Sequence, residues 1–241
     1  MAKPPDGAPG PASRAPAAAS SRAEIDAFLD QVRGLAPRAS SGRGRLVFAL
    51  DATMSRQPTW DSACSLQAEM FQEAAAIGGL DVQLVYFRGL TECRASRWVA
   101  DPRALSSLME RIDCRGGNTQ IGKVLGHVRR ENERAKVAAL VYVGDAMEEK
   151  VDALCAAAGA LGLLGVACFM FQEGEDEVTG RAYREIARLS RGAYCRFTPG
   201  AAHELAELLR AAAAYAAGGM KALDDLSRRN AGAVKLLAQM R

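Results

Sequence analysis

Oxygen-bearing side chains recur at every second position in one short segment of the sequence. Asp51, Thr53 and Ser55 belong to the run Asp-Ala-Thr-Met-Ser, directly after the apolar residues Leu46–Leu50. In an extended segment, alternate side chains point to the same side. Carboxylate and hydroxyl oxygens suit Mg²⁺, at about 2.0–2.1 Å, whereas zinc prefers nitrogen and sulfur. Alone, the segment leaves a second interpretation open, which is an ordinary strand end with capping residues.

Two further oxygen donors follow predicted elements later in the chain. Thr119 ends the loop Asp-Cys-Arg-Gly-Gly-Asn-Thr, and Asp145 follows the apolar run Val137–Val143 after one glycine. Open α/β sheets place their binding sites at the carboxyl ends of their strands. We therefore expect Asp51, Thr119 and Asp145 to meet at one edge of one sheet.

This set of residues resembles the metal-ion-dependent adhesion site (MIDAS) of the von Willebrand factor A (VWA) family. The family motif is Asp-x-[Ser/Thr]-x-Ser after the first strand, followed by a Thr in a later loop and an Asp after the fourth strand. The matching positions here, within residues 45–217, are Asp51, Thr53, Ser55, Thr119 and Asp145. Thr53 stands where Ser is commoner, and its hydroxyl supplies the same oxygen. The resemblance implies bound Mg²⁺, with Mn²⁺ or Ca²⁺ as alternatives, in a bacterial cytoplasmic protein.

The resemblance also implies a role for each of these residues. Ser55 and Thr53 would be direct ligands, and Thr119 a direct or water-bridged one, while the two aspartates would accept hydrogen bonds from metal-bound water. An acidic side chain of a partner protein would fill the remaining coordination position, and the candidates for contacting that partner are Arg56, Gly117, Asn118 and Glu148. An intact site used only as a structural clip is the alternative. Bacterial domains of this kind often work beside AAA+ ATPases, which makes such a system a candidate partner.

The elements that must position these residues are predicted from the apolar pattern. Helical periodicity separates apolar segments of strand length, and strands are predicted at 46–50, 81–87, 92–99, 137–143, 163–171 and 193–197. Strands that alternate with helices imply right-handed βαβ crossovers. The predicted fold class is therefore α/β, with a Rossmann-like doubly wound, mainly parallel sheet flanked by helices and one antiparallel edge strand.

Four segments divide the 241-residue chain. Residues 1–22 hold five of the nine prolines, and such a composition cannot bury enough surface to offset the entropy of ordering, so this tail is predicted to be disordered. A short helix and linker are predicted over 23–44, the α/β domain over 45–217, and a C-terminal helix over 218–241.

Composition argues against two classes of partner. The net charge is +3, and the excess positive charge lies in the two ends of the chain, so no basic stripe marks the predicted domain as a nucleic-acid binder. No apolar run reaches about 18 residues, so no membrane span is expected.

The six cysteines are scattered without a Cys-x-x-Cys pair, which indicates reduced thiols and a cytoplasmic location.

A metal-dependent hydrolase or phosphatase that uses Asp51 is the alternative function. An Asp after a first buried strand also begins the haloacid-dehalogenase-like phosphatases, but those enzymes carry a second Asp where this chain has Thr53. The sequence contains no nucleophile elbow, phosphate-cradling glycine loop or metal-hydrolase His pair. The sequence therefore favours a binding module over an enzyme.

Other charged residues leave alternatives open. Glu148 and Glu149 could be an acid pair, or the acidic first turn of a helix that is predicted to begin at Glu148. Arg56 could steer an acidic ligand or pair with the acidic loop 172–177, which is itself either a solvated loop or part of the partner surface. The basic C-terminal helix 218–241 could serve assembly or be a solvated surface.

Overall fold

The computed structural model describes residues 42–53, 57–75, 77–199 and 201–240. The segments predicted over 1–22 and 23–44 lie outside these residues, apart from 42–44. The predicted ligand Ser55 and the predicted partner contact Arg56 lie outside them as well. The disordered tail, the short helix and the roles of these two side chains therefore stay predictions.

Six strands form one sheet in the described part of the chain. They are Gly44–Asp51 (β1), Leu80–Arg88 (β2), Glu92–Val99 (β3), Ala139–Gly144 (β4), Ala167–Glu173 (β5) and Ala193–Phe197 (β6), in the order β3-β2-β1-β4-β5-β6. All neighbouring strands pair in parallel except β3, which pairs antiparallel with β2 at one edge. The predicted doubly wound α/β fold, with one antiparallel edge strand, is confirmed.

The described residues also form seven helices. They are Gln57–Ala75 (α1), Pro102–Met109 (α2), Ile121–Arg134 (α3), Val151–Leu163 (α4), Glu177–Leu189 (α5), Ala202–Ser227 (α6) and Ala231–Met240 (α7). None of these helices is long and apolar enough to span a membrane.

The central strand β1 is buried on both faces, which explains its continuous apolar run. Phe48 lies in one core cluster with residues of α1, α2, α6 and α7, whereas Val47 lies in a second cluster with residues of α3, α4 and α5. Side chains alternate between these clusters along the strand, as the pleat requires. Because β1 is fixed by packing on both faces, the position of Asp51 at its C-terminal end is fixed as well.

The C-terminal region differs from the single helix predicted over 218–241. Helix α6 continues to Ser227 with a kink at Gly219, whose φ of 67° lies in the left-handed region that glycine adopts readily. Asn230 then begins α7, since its side-chain oxygen accepts a hydrogen bond from the Ala233 N–H at 2.7 Å.

Helix α7 packs into the core and is not an independent basic helix. Leu236 is fully buried in the same cluster as Phe48. Just before the helix, Arg229 forms an ion pair with Glu73 of α1 at 2.7 Å. One of the basic side chains proposed for assembly therefore ties the C-terminal region to the domain.

Candidate metal centre

The predicted donors line one pocket at the C-terminal edge of the sheet. Asp51 ends β1 and Asp145 follows β4, and the parallel pairing of these two strands places their ends side by side. The pocket measures about 210 Å³ and is lined by Asp51, Thr53, Gly116, Gly117, Thr119, Asp145, Ala146 and Glu148. Four of the five predicted metal ligands are thus brought together, and the fifth, Ser55, lies outside the described residues.

The loop after β1 is fixed by one hydrogen bond within the loop and by two backbone hydrogen bonds to other segments. The Thr53 N–H donates to the Asp51 carboxylate at 2.8 Å, which makes a local turn and fixes the carboxylate. The Ala52 N–H donates to the carbonyl of Phe87 at 3.0 Å, and the Ala52 carbonyl accepts from the Arg115 N–H at 2.9 Å. The first donor loop is therefore joined to β2 and to the segment that leads to the second.

Glycines allow the second donor loop to pack closely. Gly117 forms a bridge with Gly89, and the Asn118 N–H donates to the Gly89 carbonyl at 3.1 Å. Gly117 lines the pocket, whereas Asn118 is exposed and does not line it. Of these two predicted partner contacts, only Gly117 therefore borders the site.

Thr119 and Glu148 make a reciprocal pair of hydrogen bonds. The Thr119 N–H donates to the Glu148 carboxylate at 2.8 Å, and the Glu148 N–H donates to the Thr119 hydroxyl oxygen at 3.2 Å. A hydroxyl oxygen has two lone pairs, so this bond leaves one for a cation. Glu148 was predicted to contact a partner, and its carboxylate also fixes a predicted ligand.

The interpretation of Glu148 and Glu149 as the first turn of their own helix is wrong. That helix, α4, begins at Val151, and the Glu149 carboxylate instead accepts hydrogen bonds from the backbone N–H groups of Ile121 and Gly122 at the start of α3. Sequence reasoning missed this role because the contact joins residues 27 and 28 positions apart, and no local pattern marks it. The only available signal was an α3 sequence that begins without an acidic residue.

The acidic loop after β5 is largely used for local structure. Glu173 is buried and accepts a hydrogen bond from the Thr59 hydroxyl, which joins the end of β5 to the start of α1. Asp176 caps α5, and the hydrogen bonds that it receives there lower the pKa of its carboxyl. Glu177 forms an ion pair with Arg196 at 2.7 Å. These contacts favour neither a freely solvated loop nor a partner surface.

Tyr142 of β4 packs against aromatic rings of β2 and α5. Tyr142 is fully buried, with its ring centroid 5.9 Å from that of Phe87 and 5.5 Å from that of Tyr183. Burial raises the pKa of Tyr142 well above its ordinary value, and the proximity of Tyr183 and Asp51 raises it further. The phenol therefore keeps its proton. The Tyr183 hydroxyl donates to the carbonyl of Ala146 at 3.0 Å and so tethers the loop that leaves β4.

The donor set of the pocket fits a hard divalent cation. Within the described ranges, no group of three or more His, Cys, Asp or Glu side chains is arranged to hold a metal ion. A cation in this pocket would therefore depend on the hydroxyls of Thr53 and Thr119 as well as on the carboxylates of Asp51 and Asp145. Such an all-oxygen set is typical of Mg²⁺, Mn²⁺ or Ca²⁺ sites.

Comparisons with known proteins bear on the fold. No protein-family model matches the sequence, and no curated protein matches it either. Among solved structures, the VWA domain of SpRpn10 gives a TM-score of 0.54 at 12% identity, over 68% of this chain and 95% of that one. This chain has the von Willebrand factor A fold.

Two further VWA-fold structures resemble the chain. A von Willebrand factor type A protein from Catenulispora acidiphila gives a TM-score of 0.59 at 20% identity, over 73% of this chain and 43% of that one. Proximal thread matrix protein 1 from the mussel byssus, with a zinc-occupied MIDAS motif, gives 0.53 at 17% identity, over 81% of this chain and 52% of that one. At these identities the likeness establishes the VWA fold and leaves the metal site to be tested.

Proposed function

We propose that the chain is a divalent-metal-dependent protein-binding module that docks an acidic side chain of a partner. The observation that carries this proposal is the single pocket where Asp51, Thr53, Thr119 and Asp145 converge. Ser55 would complete the ligand set. Mg²⁺ is the proposed cation, and Mn²⁺ or Ca²⁺ could replace it because they also take oxygen ligands. When bound, the cation would offer a hard electrophilic position to an anionic oxygen of the partner.

The chemistry of the pocket supports binding rather than catalysis. Among the described residues that line it there is no His, Cys or Lys to act as a nucleophile or base. Asp51 is 3% exposed as a residue and its carboxylate accepts the Thr53 N–H, which suits an anchoring role better than attack on a substrate. We therefore propose that the protein is not an enzyme.

The proposed setting is a cytoplasmic multiprotein assembly, with an AAA+ ATPase system as a candidate and no direct role for nucleic acid. Cys93, Cys114, Cys155, Cys168 and Cys195 are free thiols, which agrees with a reducing compartment. The AAA+ system itself rests on the sequence resemblance alone.

Removal of one ligand oxygen tests the metal dependence. Thr119→Val keeps the side-chain shape but removes the hydroxyl, whereas Thr119→Ser keeps it. Thr179→Val is the matched control, because Thr179 is also a buried threonine at a helix start but does not line the pocket. We expect Thr119→Val to lose Mg²⁺ affinity, measured by calorimetric titration, while Thr119→Ser and Thr179→Val keep it.

Partner capture tests the docking step. The immobilised full chain would be incubated with lysate in Mg²⁺ or in EDTA, alongside Asp51→Ala. We expect a specific partner to be retained only by the wild-type chain in Mg²⁺. Equal capture in all three conditions would exclude metal-dependent docking. Mg²⁺-dependent phosphatase activity that disappears in Asp51→Asn would instead support the hydrolase alternative.

A further inference from the structure

Glu149 does not line the pocket, but it connects two segments that lead to pocket residues. Its carboxylate accepts the N–H groups of Ile121 and Gly122, the latter at 3.0 Å, and thereby holds the start of α3. Thr119 lies two residues before that start, and Asp145 lies four residues before Glu149. The hydrogen bonds of Glu149 therefore join the loop that carries Asp145 to the start of α3, which directly follows the loop that carries Thr119.

The charge of Glu149 matters because a helix start lies beside the proposed cation. The first N–H groups of a helix carry a partial positive charge of roughly half an elementary charge, which disfavours a nearby cation. Helix α3 has no acidic residue in its first turn, and the Gln120 side chain makes no capping hydrogen bond to the described residues. Glu149 supplies the carboxylate that this helix start lacks, from a distant part of the chain.

The helix leaves space for this carboxylate. A Cβ on Gly122 would lie 3.0 Å from Oε2 of Glu149, so an alanine there would require the carboxylate to shift by a few tenths of an ångström. One turn further along α3, a Cβ on Gly126 would approach only Nη1 of Arg130, at an ordinary 3.6 Å. The two glycines therefore offer a matched pair of substitutions in one helix.

We propose that Glu149 is a positioning residue of the metal centre, which sets the place of the Thr119 hydroxyl and offsets the positive end of α3. This inference rests on the proposed function, since it concerns the affinity of the same pocket for a cation. Residues that orient metal ligands typically change metal affinity by about 10- to 100-fold when they are replaced.

Three variants of the full chain test the proposal. Each protein is first treated with EDTA to remove bound metal and is then titrated with Mg²⁺ by calorimetry. Glu149→Gln keeps an acceptor oxygen but loses the charge, and Gly122→Ala displaces the carboxylate without changing it. We expect both to raise the Kd for Mg²⁺ by about tenfold. Gly126→Ala should leave the Kd unchanged, although it adds the same methyl group to the same helix.

A double variant separates positioning from general stability. Gly126→Ala removes a helix-interior glycine and should stabilise α3, so it can offset a loss of stability in Glu149→Gln measured by urea unfolding in EDTA. We expect the double variant to recover stability but to keep the weakened Mg²⁺ affinity. If the double variant recovered both its stability and its Mg²⁺ affinity, Glu149 would have only a structural role and the inference would be overturned.

The remaining outcomes distinguish this inference from the proposed function. If the wild-type chain does not bind Mg²⁺, both fail together. If the wild-type chain binds Mg²⁺ and Glu149→Gln binds it equally well, only the role of Glu149 is overturned and the proposed function stands.

Discussion

The backbones of Gly89 and Gly117 lie in direct contact, although the two residues are far apart in the sequence. Gly89 lies in the turn between β2 and β3, and Gly117 lies in the loop between α2 and α3. They form a parallel bridge, and a Cβ on Gly117 would lie 2.2 Å from the Gly89 nitrogen. This contact fixes the distance between the turn after β2 and the loop that carries Thr119. Gly117 was predicted to contact a partner, and the structure gives it a packing role in the pocket wall.

Gly117→Ala should therefore displace the Thr119 loop. We expect the free energy of unfolding to fall by about 2 kcal/mol, because the added methyl group has no room, and the Kd for Mg²⁺ to rise at least about tenfold. Gly116→Ala is the control, since its Cβ would meet no heavy atom of the described residues within 4 Å. Calorimetric titration and urea unfolding measure the two effects, and equal values for the two variants would contradict the prediction.

The sequence could predict the positions of Asp51 and Asp145 because each follows from the end of a strand. Asp51 and Asp145 follow apolar runs that define buried strands, and parallel pairing brings such strand ends together wherever the exact boundaries lie. Thr119 was found through the family motif rather than through a strand. The position of a donor residue can therefore be predicted when it follows from the apolar sequence pattern and from the parallel pairing of the strands.

The supporting contacts could not be predicted in the same way. The Glu149 carboxylate caps α3 instead of its own helix, and the Gly89–Gly117 contact depends on the packing of two loops. Both are long-range contacts that leave no periodic signal. Likewise, Gly219 reads as a helix stop, but the buried residues Ala216 and Leu223 hold the chain helical on both sides of the kink.

The side chain of Gln239 closes the exposed edge of β6. The Tyr194 N–H donates to its Oε1 at 2.9 Å, and its Nε2 donates to the Tyr194 carbonyl at 2.8 Å, so the amide imitates a neighbouring strand. Open strand edges promote pairing with other chains. We expect Gln239→Ala to lower the free energy of unfolding by about 1–2 kcal/mol and to increase self-association in sedimentation velocity.

A charged variant sharpens this prediction. Gln239→Glu keeps an acceptor for the Tyr194 N–H but sets a carboxylate against the Tyr194 carbonyl, so it should destabilise the protein more than Gln239→Ala. Lys235→Ala, which alters an exposed side chain in the same helix, is the control and should have little effect. If all three variants match the wild type, the edge contact contributes nothing to stability.

His127 should make the protein less stable in mild acid. Its Nε2 lies 2.9 Å from Oε1 of Gln83, whose amide nitrogen donates to the Ser96 carbonyl, so the neutral imidazole donates to Gln83. Burial lowers the pKa of His127 below its ordinary value of about 6.5, although Glu131 opposes this shift. The unfolded chain therefore binds the proton more tightly, and stability is lost as the pH falls from about 6.5 through the folded-state pKa.

Urea unfolding at about pH 7.5 and about pH 5.5 measures this loss. We expect His127→Gln to lose less stability between the two values than the wild type, because glutamine does not titrate and can still donate to Gln83. The lowered pKa of Glu131 acts in the same direction but in a more acidic window, below about pH 4.5, so it does not interfere. Equal losses in the two proteins would contradict the prediction.

Helix α7 should contribute to the stability of the domain rather than act as a separate basic helix. Leu236 is 0% exposed, whereas Val234 in the same helix is 52% exposed. Leu236→Ala should lower the free energy of unfolding by about 3 kcal/mol, while Val234→Ala should change it by less than about 0.5 kcal/mol. Urea unfolding measures both. A small effect of Leu236→Ala would mean that α7 adds little to the core, and an assembly role for the basic C-terminal segment 218–241 would then regain support.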